Sequence, residues 1–167
     1  MKKFMALIAC SMLVGCDYTV PLVKTPALEI DPGIVGLWQR SKTDGQAESL
    51  LVLPLGRLEY MLSFPAGSKD AMFARACLVR IGKQTLVQLE WLGTAQGKVP
   101  EDTRVFQFAA YALAGDTISI SMLNTGIVKN EATSTAALTK SIADNQGNPD
   151  LFKEKMIFKK VAVAKDP

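Results

Sequence analysis

The chain has 167 residues, 49% of them hydrophobic and 21% charged, with 19 basic and 16 acidic side chains. Those fractions belong to a globular protein, exclude wholesale disorder, and suit one domain at this length. Histidine is absent, which removes Ser-His-Asp and Cys-His catalysis, histidine bases and histidine-ligated metals.

Met1-Lys2-Lys3 gives a positive start, and an apolar run follows from Phe4 to Val14. This is the layout of a secretory signal: a basic n-region, an h-region of about 7–15 residues, and a small residue at the cleavage point. The run is too short for a membrane span, which needs about 20 apolar residues. It ends in Leu13-Val14-Gly15-Cys16, which resembles the lipobox of bacterial lipoproteins. The resemblance implies a signal peptide over residues 1–15 and lipid attachment at Cys16. The thiol there carries a diacylglyceryl group and the new amine an acyl chain. The chain is then membrane-anchored and faces the periplasm. Several acyl chains make physical sense, because one holds a protein to a bilayer only marginally. Asp17 is similar to the residue that retains such proteins in the inner membrane of enteric-type bacteria; the outer membrane stays open.

Without Lys2 and Lys3 the 19 basic residues fall to 17 against 16 acids. No basic stripe of the kind a nucleic acid needs is left. Cys10 leaves with the signal and Cys16 is acylated, so Cys77 stands alone and no internal disulfide forms. It lies in an apolar strand-like run, where a buried, inert thiol is expected rather than a reactive one.

Residues 16–33 read as a lipidated N-terminus and tether. Pro21, Pro26 and Pro32 disfavour helix and interrupt sheet pairing, and an extended chain of this length spans roughly 40–50 Å. The alternative is that Val20, Leu22, Val23, Leu28 and Ile30 lie along the domain surface. Residues 34–167 form a single domain of short, alternating strands. These fall at Ile34–Arg40, Ser49–Leu55, Leu58–Phe64, Ala71–Ile81, Gln84–Leu92, Arg104–Leu113 and Thr117–Leu123, with a further short strand at Gly126–Lys129. Gly56-Arg57, Gly82-Lys83 and Ala114-Gly115-Asp116 read as hairpin turns. Period-two alternation marks four of these runs, as in Thr85, Val87, Leu89 and Trp91 against Gln84, Gln88 and Glu90. Thr133–Asn145 has helical spacing with capping residues near its start, and Lys155–Val163 closes the chain as a last strand. The fold class is mainly β: an antiparallel barrel of eight or nine strands, or a strongly curled sheet, with one late helix before the last strand. Closure solves the edge problem of such a meander.

Gly36-Leu37-Trp38, opening the first strand, is similar to the Gly-x-Trp signature of lipocalins. That resemblance implies a barrel whose closed end is plugged by Trp38, and an interior able to hold a ligand. Lipocalins also place an arginine over the tryptophan near the chain's end, where this sequence offers Lys159 and Lys160. Read from the residues alone, Trp38 is equally an ordinary core aromatic.

No constellation for catalysis emerges, so the chain is expected not to be an enzyme and to need no cofactor or metal. Glu101-Asp102 lies in a polar loop, and Glu59 and Glu90 lie on outward strand faces, so paired-carboxylate chemistry has no apolar pocket. Ser63, Ser68 and Lys69 are close in sequence but lack a nucleophile elbow. Gly93-Thr94-Ala95-Gln96-Gly97-Lys98 lacks the spacing and the hydroxyl of a phosphate loop. Phe106 and Phe108 share one face, with Tyr111 on the other; they fill a core or line a cavity at a barrel mouth. Two functions follow. One is a non-catalytic interaction module for an envelope protein, which calls for a large exposed apolar patch. The other is a carrier of a lipid or small hydrophobe, which calls for a cavity of about 300 Å³ or more.

Overall fold

The computed structural model describes residues 17–162; residues 1–16, on which the expected signal peptide and Cys16 fall, and residues 163–167 lie outside the described residues. Eight antiparallel strands close into a barrel in chain order. They are β1 (Gly36–Ser41), β2 (Ala47–Leu55), β3 (Glu59–Phe64), β4 (Met72–Ile81), β5 (Gln84–Thr94), β6 (Phe106–Ala114), β7 (Thr117–Leu123) and β8 (Phe152–Lys160), with helix α1 (Thr135–Asp144) before the last. The mainly β fold with one late helix is the one the alternation predicts. Gly82 and Gly115 turn their hairpins at φ +57° and +60°, backbone that glycine adopts without a Cβ penalty.

Two strand expectations change. Gly126–Lys129 is not a strand but a turn built on Asn124, whose carbonyl accepts from the Ile127 and Val128 N–H groups. Its side-chain oxygen also accepts from Gly126, the local bonding that suits asparagine to turns. The last strand starts earlier than expected, because Phe152 already pairs with Leu123.

Alternation sorts side chains to two cores. Trp38, Val52, Tyr60, Ala74, Leu89, Ile118 and Phe158 face inward and fill the barrel. Cys77, Val79 and Ile81 of β4, Leu86 of β5 and Phe108 of β6 face outward into a second core. Helix α1 covers it with Leu138 and Ile142, fully buried, and its N-cap Ser134 accepts from the Ala137 N–H. Phe106 and Phe108 therefore line no barrel mouth: Phe108 packs beneath Tyr18, ring centroids 5.1 Å apart, and Phe106 borders the same outer core.

Of the two expectations for the N-terminal segment, a free tether or a segment lying along the domain surface, the structure has the second: residues 17–35 are folded onto the barrel. Tyr18 and Leu22 are buried, the Tyr18 hydroxyl donates to the Val128 carbonyl at 2.7 Å, and Tyr18 bridges Phe106. Gln88 clamps the middle of this strap. Its Oε1 accepts from the Leu22 and Val23 N–H groups at 2.7 and 3.0 Å, and its Nε2 donates to the Val23 carbonyl at 3.0 Å. One amide thus supplies the hydrogen bonds that the flanking prolines withhold. Gln88→Leu should lower stability by about 1–3 kcal/mol, since it strands the buried Leu22 N–H and the half-buried Val23 N–H; urea unfolding measures the loss, and limited proteolysis within residues 19–26 should become faster.

Candidate functional site

The strap's end closes the barrel. Asp31 caps the short turn Pro32–Ile34 by accepting from the Gly33 N–H. Its own N–H donates to the Tyr60 hydroxyl at 2.5 Å, and the Tyr111 hydroxyl donates to its carboxylate at 3.4 Å. Burial pushes the Tyr60 phenol up to about 12, against the lowering effect of its hydrogen bond to the Asp31 backbone. Beside them Trp38 is wholly buried, and its Nε1–H donates to the Ile34 carbonyl at 2.8 Å. The Lys160 ammonium lies 5.1 Å from the centre of the Trp38 ring and donates to the Gly33 carbonyl. Trp38 plugs this end, with a lysine over its face.

The opposite rim is sealed by polar pairs. Arg40 Nε and Nη2 both reach Glu48 Oε2, at 2.7 and 2.5 Å, while the guanidinium spans the Phe64 and Phe158 rings at 5.7 and 5.2 Å. Across the rim Trp91 Nε1–H donates to Gln107 at 2.9 Å, and Gln107 reaches Asp17. Burial raises the Asp17 carboxyl above its ordinary value, opposed by the hydrogen bond from Gln107.

Two clefts are prominent, and both lie on the outer wall. One, of about 380 Å³, runs beneath the strap between Val23, Pro26, Glu59, Arg75, Cys77 and Glu90. It brings Glu59 and Glu90 together, which strand alternation alone did not foresee. Arg75 separates them: its Nε lies 3.3 Å from Glu59 and its backbone pairs with Glu90 across β4–β5. The signal was register, since Cys77 pairs with both Glu59 and Gln88. The other cleft, of about 560 Å³, follows the β1–β8 seam between Gln39, Arg40, Ser41, Ile157, Lys159 and Lys160. The seam has Trp38↔Lys160 and Gln39↔Lys159 as its register pairs, whereas β1 pairs with β2 along its whole length.

The bare side of the barrel carries the most conspicuous feature. Outward-facing Leu37 of β1 pairs with Leu51 of β2, and Leu53 pairs with Met61 of β3. Leu53 is 45% and Leu55 39% exposed. An outer wall bathed in water ordinarily alternates to polar residues; here it turns leucines outward, and neither the strap nor α1 covers them.

The other sequence candidates stay apart. Asp102 is exposed and bonded to Arg104, whose hydrogen bonds hold its carboxyl below the ordinary value. Ser68 accepts from the Asp70 N–H in a turn, away from the strand residue Ser63. In the 93–98 loop the Thr94 N–H donates to the Lys98 carbonyl and the Gly97 N–H to the Thr94 carbonyl, closing a tight turn at Gly97. Among the described residues no three His, Cys, Asp or Glu side chains are placed to share a metal ion. Cys77 is buried, and burial first, then Glu59 and Glu90, pushes its thiol up to about 11. At pH 8 it should therefore react with maleimide about a hundredfold more slowly than an ordinary thiol, and at the ordinary rate in urea; mass mapping of the Cys77 peptide measures both. Compared with known proteins, the chain matches no family model, no curated protein and no solved structure.

Proposed function

We propose that this chain is a lipid-anchored protein of the bacterial envelope whose barrel is a non-catalytic interaction module. The observation that carries the module is the outward leucine face of β1–β3: Leu37, Leu51, Leu53 and Leu55 with Met61. Exposed contiguous apolar surface on a soluble domain marks a contact site. The Leu13–Cys16 tetrapeptide supports the anchor, with Cys16 as the acylated residue. The periplasm is the expected compartment; Asp17 favours the inner membrane.

Carriage of a lipid or small hydrophobe would place the ligand inside the barrel. That space holds Trp38, Tyr60, Trp91 and Phe158, and its ends are closed by Trp38 with Asp31 and by Arg40 with Glu48. The packing favours the module.

A photo-crosslinking residue at Leu53, on the bare wall, and another at Lys140, on the exposed face of α1, test this in the native host. Leu53 should capture a discrete protein partner that Lys140 does not. Equal yields, or lipid as the captured species, would overturn the module. Separately, Cys16→Ser should abolish acyl labelling and leave the signal uncleaved.

A further inference from the structure

The start of the described chain fixes where an anchor leaves the barrel. The Asp17 and Tyr18 N–H groups both donate to the Phe106 carbonyl, at 3.2 and 3.1 Å, and the Phe106 N–H donates back to Tyr18. Tyr18 is then held by burial against Phe108 and by its bond to Val128. A lipid on Cys16 is one peptide bond from this pinned position, so the strap provides no slack between bilayer and barrel. Phe106 opens β6, at the rim opposite the Trp38 plug.

That rim carries its own apolar cluster. Phe73 pairs with Gly93, Leu92 precedes Gly93 on the outer face of β5, and the Val99 backbone folds over Gly93, with Cα only 3.8 Å from where a Cβ would stand. Val99 is 71% exposed, and Phe73 and Leu92 are exposed beside it. Glu90 pairs with Phe106. Tyr18 and Leu92 are therefore separated by two interstrand spacings and two residues along a strand, about 12 Å. The most exposed leucines of the bare wall, Leu53 and Leu55, are toward the plugged end. Strands of this length, tilted by about 40°, put them roughly 20 Å farther along the barrel axis.

We propose that the 93–99 rim, through Phe73, Leu92 and Val99, is a bilayer-contacting surface, so that the barrel stands on the membrane with its plugged end and leucine wall directed away from lipid. This inference rests on the acylated Cys16 of the proposed function. The occupant is the bilayer rather than a protein because the anchor and the cluster leave the same rim.

Full chain produced in a lipidating host, carrying Val99→Cys or Leu55→Cys, tests it. Cys77 is shielded and Cys16 blocked, so an environment-sensitive thiol probe reports one site. In phosphatidylethanolamine–phosphatidylglycerol vesicles the probe at position 99 should shift to the blue and be quenched by spin-labelled lipid, and the probe at 55 should do neither. The N-terminal peptide of the same sample is weighed. Acyl mass with both probes equally in water, or with the probe at 55 the quenched one, overturns the orientation and leaves the anchor standing. An unacylated Cys16 overturns both.

Discussion

Trp38→Ala is expected to lower stability by about 3–5 kcal/mol, the range for deleting a fully buried large aromatic. Three losses combine at this position. The indole is wholly buried among inward side chains, so its removal opens a cavity that strands paired on both sides of β1 cannot collapse. Its N–H donates to the Ile34 carbonyl, which loses its partner at the barrel's closed end. The Lys160 ammonium loses the ring face beneath it, a contact worth about 0.5–2 kcal/mol. Against a total of about 5–15 kcal/mol for a domain, the fall in urea midpoint should be large, with unchanged denaturant slope. Trp38→Phe keeps a ring and loses the hydrogen bond, so about 1–2 kcal/mol is expected. Lys160→Met keeps the stem over the ring and should cost less than either. A Trp38→Ala protein no less stable than Lys160→Met would contradict the plug.

The order of strands was legible where one face is wet. In β7, Ile118, Ile120 and Met122 alternate with serines, and the observed strand is the expected Thr117–Leu123. Where both faces are covered or apolar, alternation says little. Ala76-Cys77-Leu78-Val79 is buried throughout, because inward Ala76 and Leu78 meet the barrel core while outward Cys77 and Val79 meet the strap and helix. Sequence shows the run to be apolar but not what lies over it. Leu50 to Leu53 has the same ambiguity, and only register reveals that Leu50 and Val52 turn in while Leu51 and Leu53 turn out.

The strap was the harder case. Its prolines remove donors, and that favours a free tether when read locally. The compensating partner, Gln88, is far along the chain, and nothing near Leu22 announces it. The same strap brings Asp31 to Tyr60 and Tyr111, three residues that belong to no common motif. The lysine over Trp38 was visible as a candidate, since Lys159 and Lys160 were the available cations near the end. Pairing settles which one: Lys160 faces Trp38 across the seam, whereas Gln39 pairs with Lys159.

The second large effect concerns charge. Arg40→Met should lower stability by about 3–5 kcal/mol, the range for breaking a buried pair by removing one member. Glu48 is buried; it accepts a hydrogen bond from Arg40 Nε and lies in ion-pair contact with Nη2 of the same guanidinium. Without Arg40 its remaining cation is Lys42, 3.5 Å away on a half-exposed side chain. The reciprocal change is milder. In Glu48→Leu the guanidinium still lies over Phe64 and Phe158 and is close enough to the rim to reach water. The double variant Arg40→Met, Glu48→Leu replaces both charges by apolar groups and should recover most of the Arg40→Met loss, because no unpaired charge is left inside. Urea curves on the four proteins give the coupling directly. Additive single effects would mean that Lys42 alone satisfies Glu48.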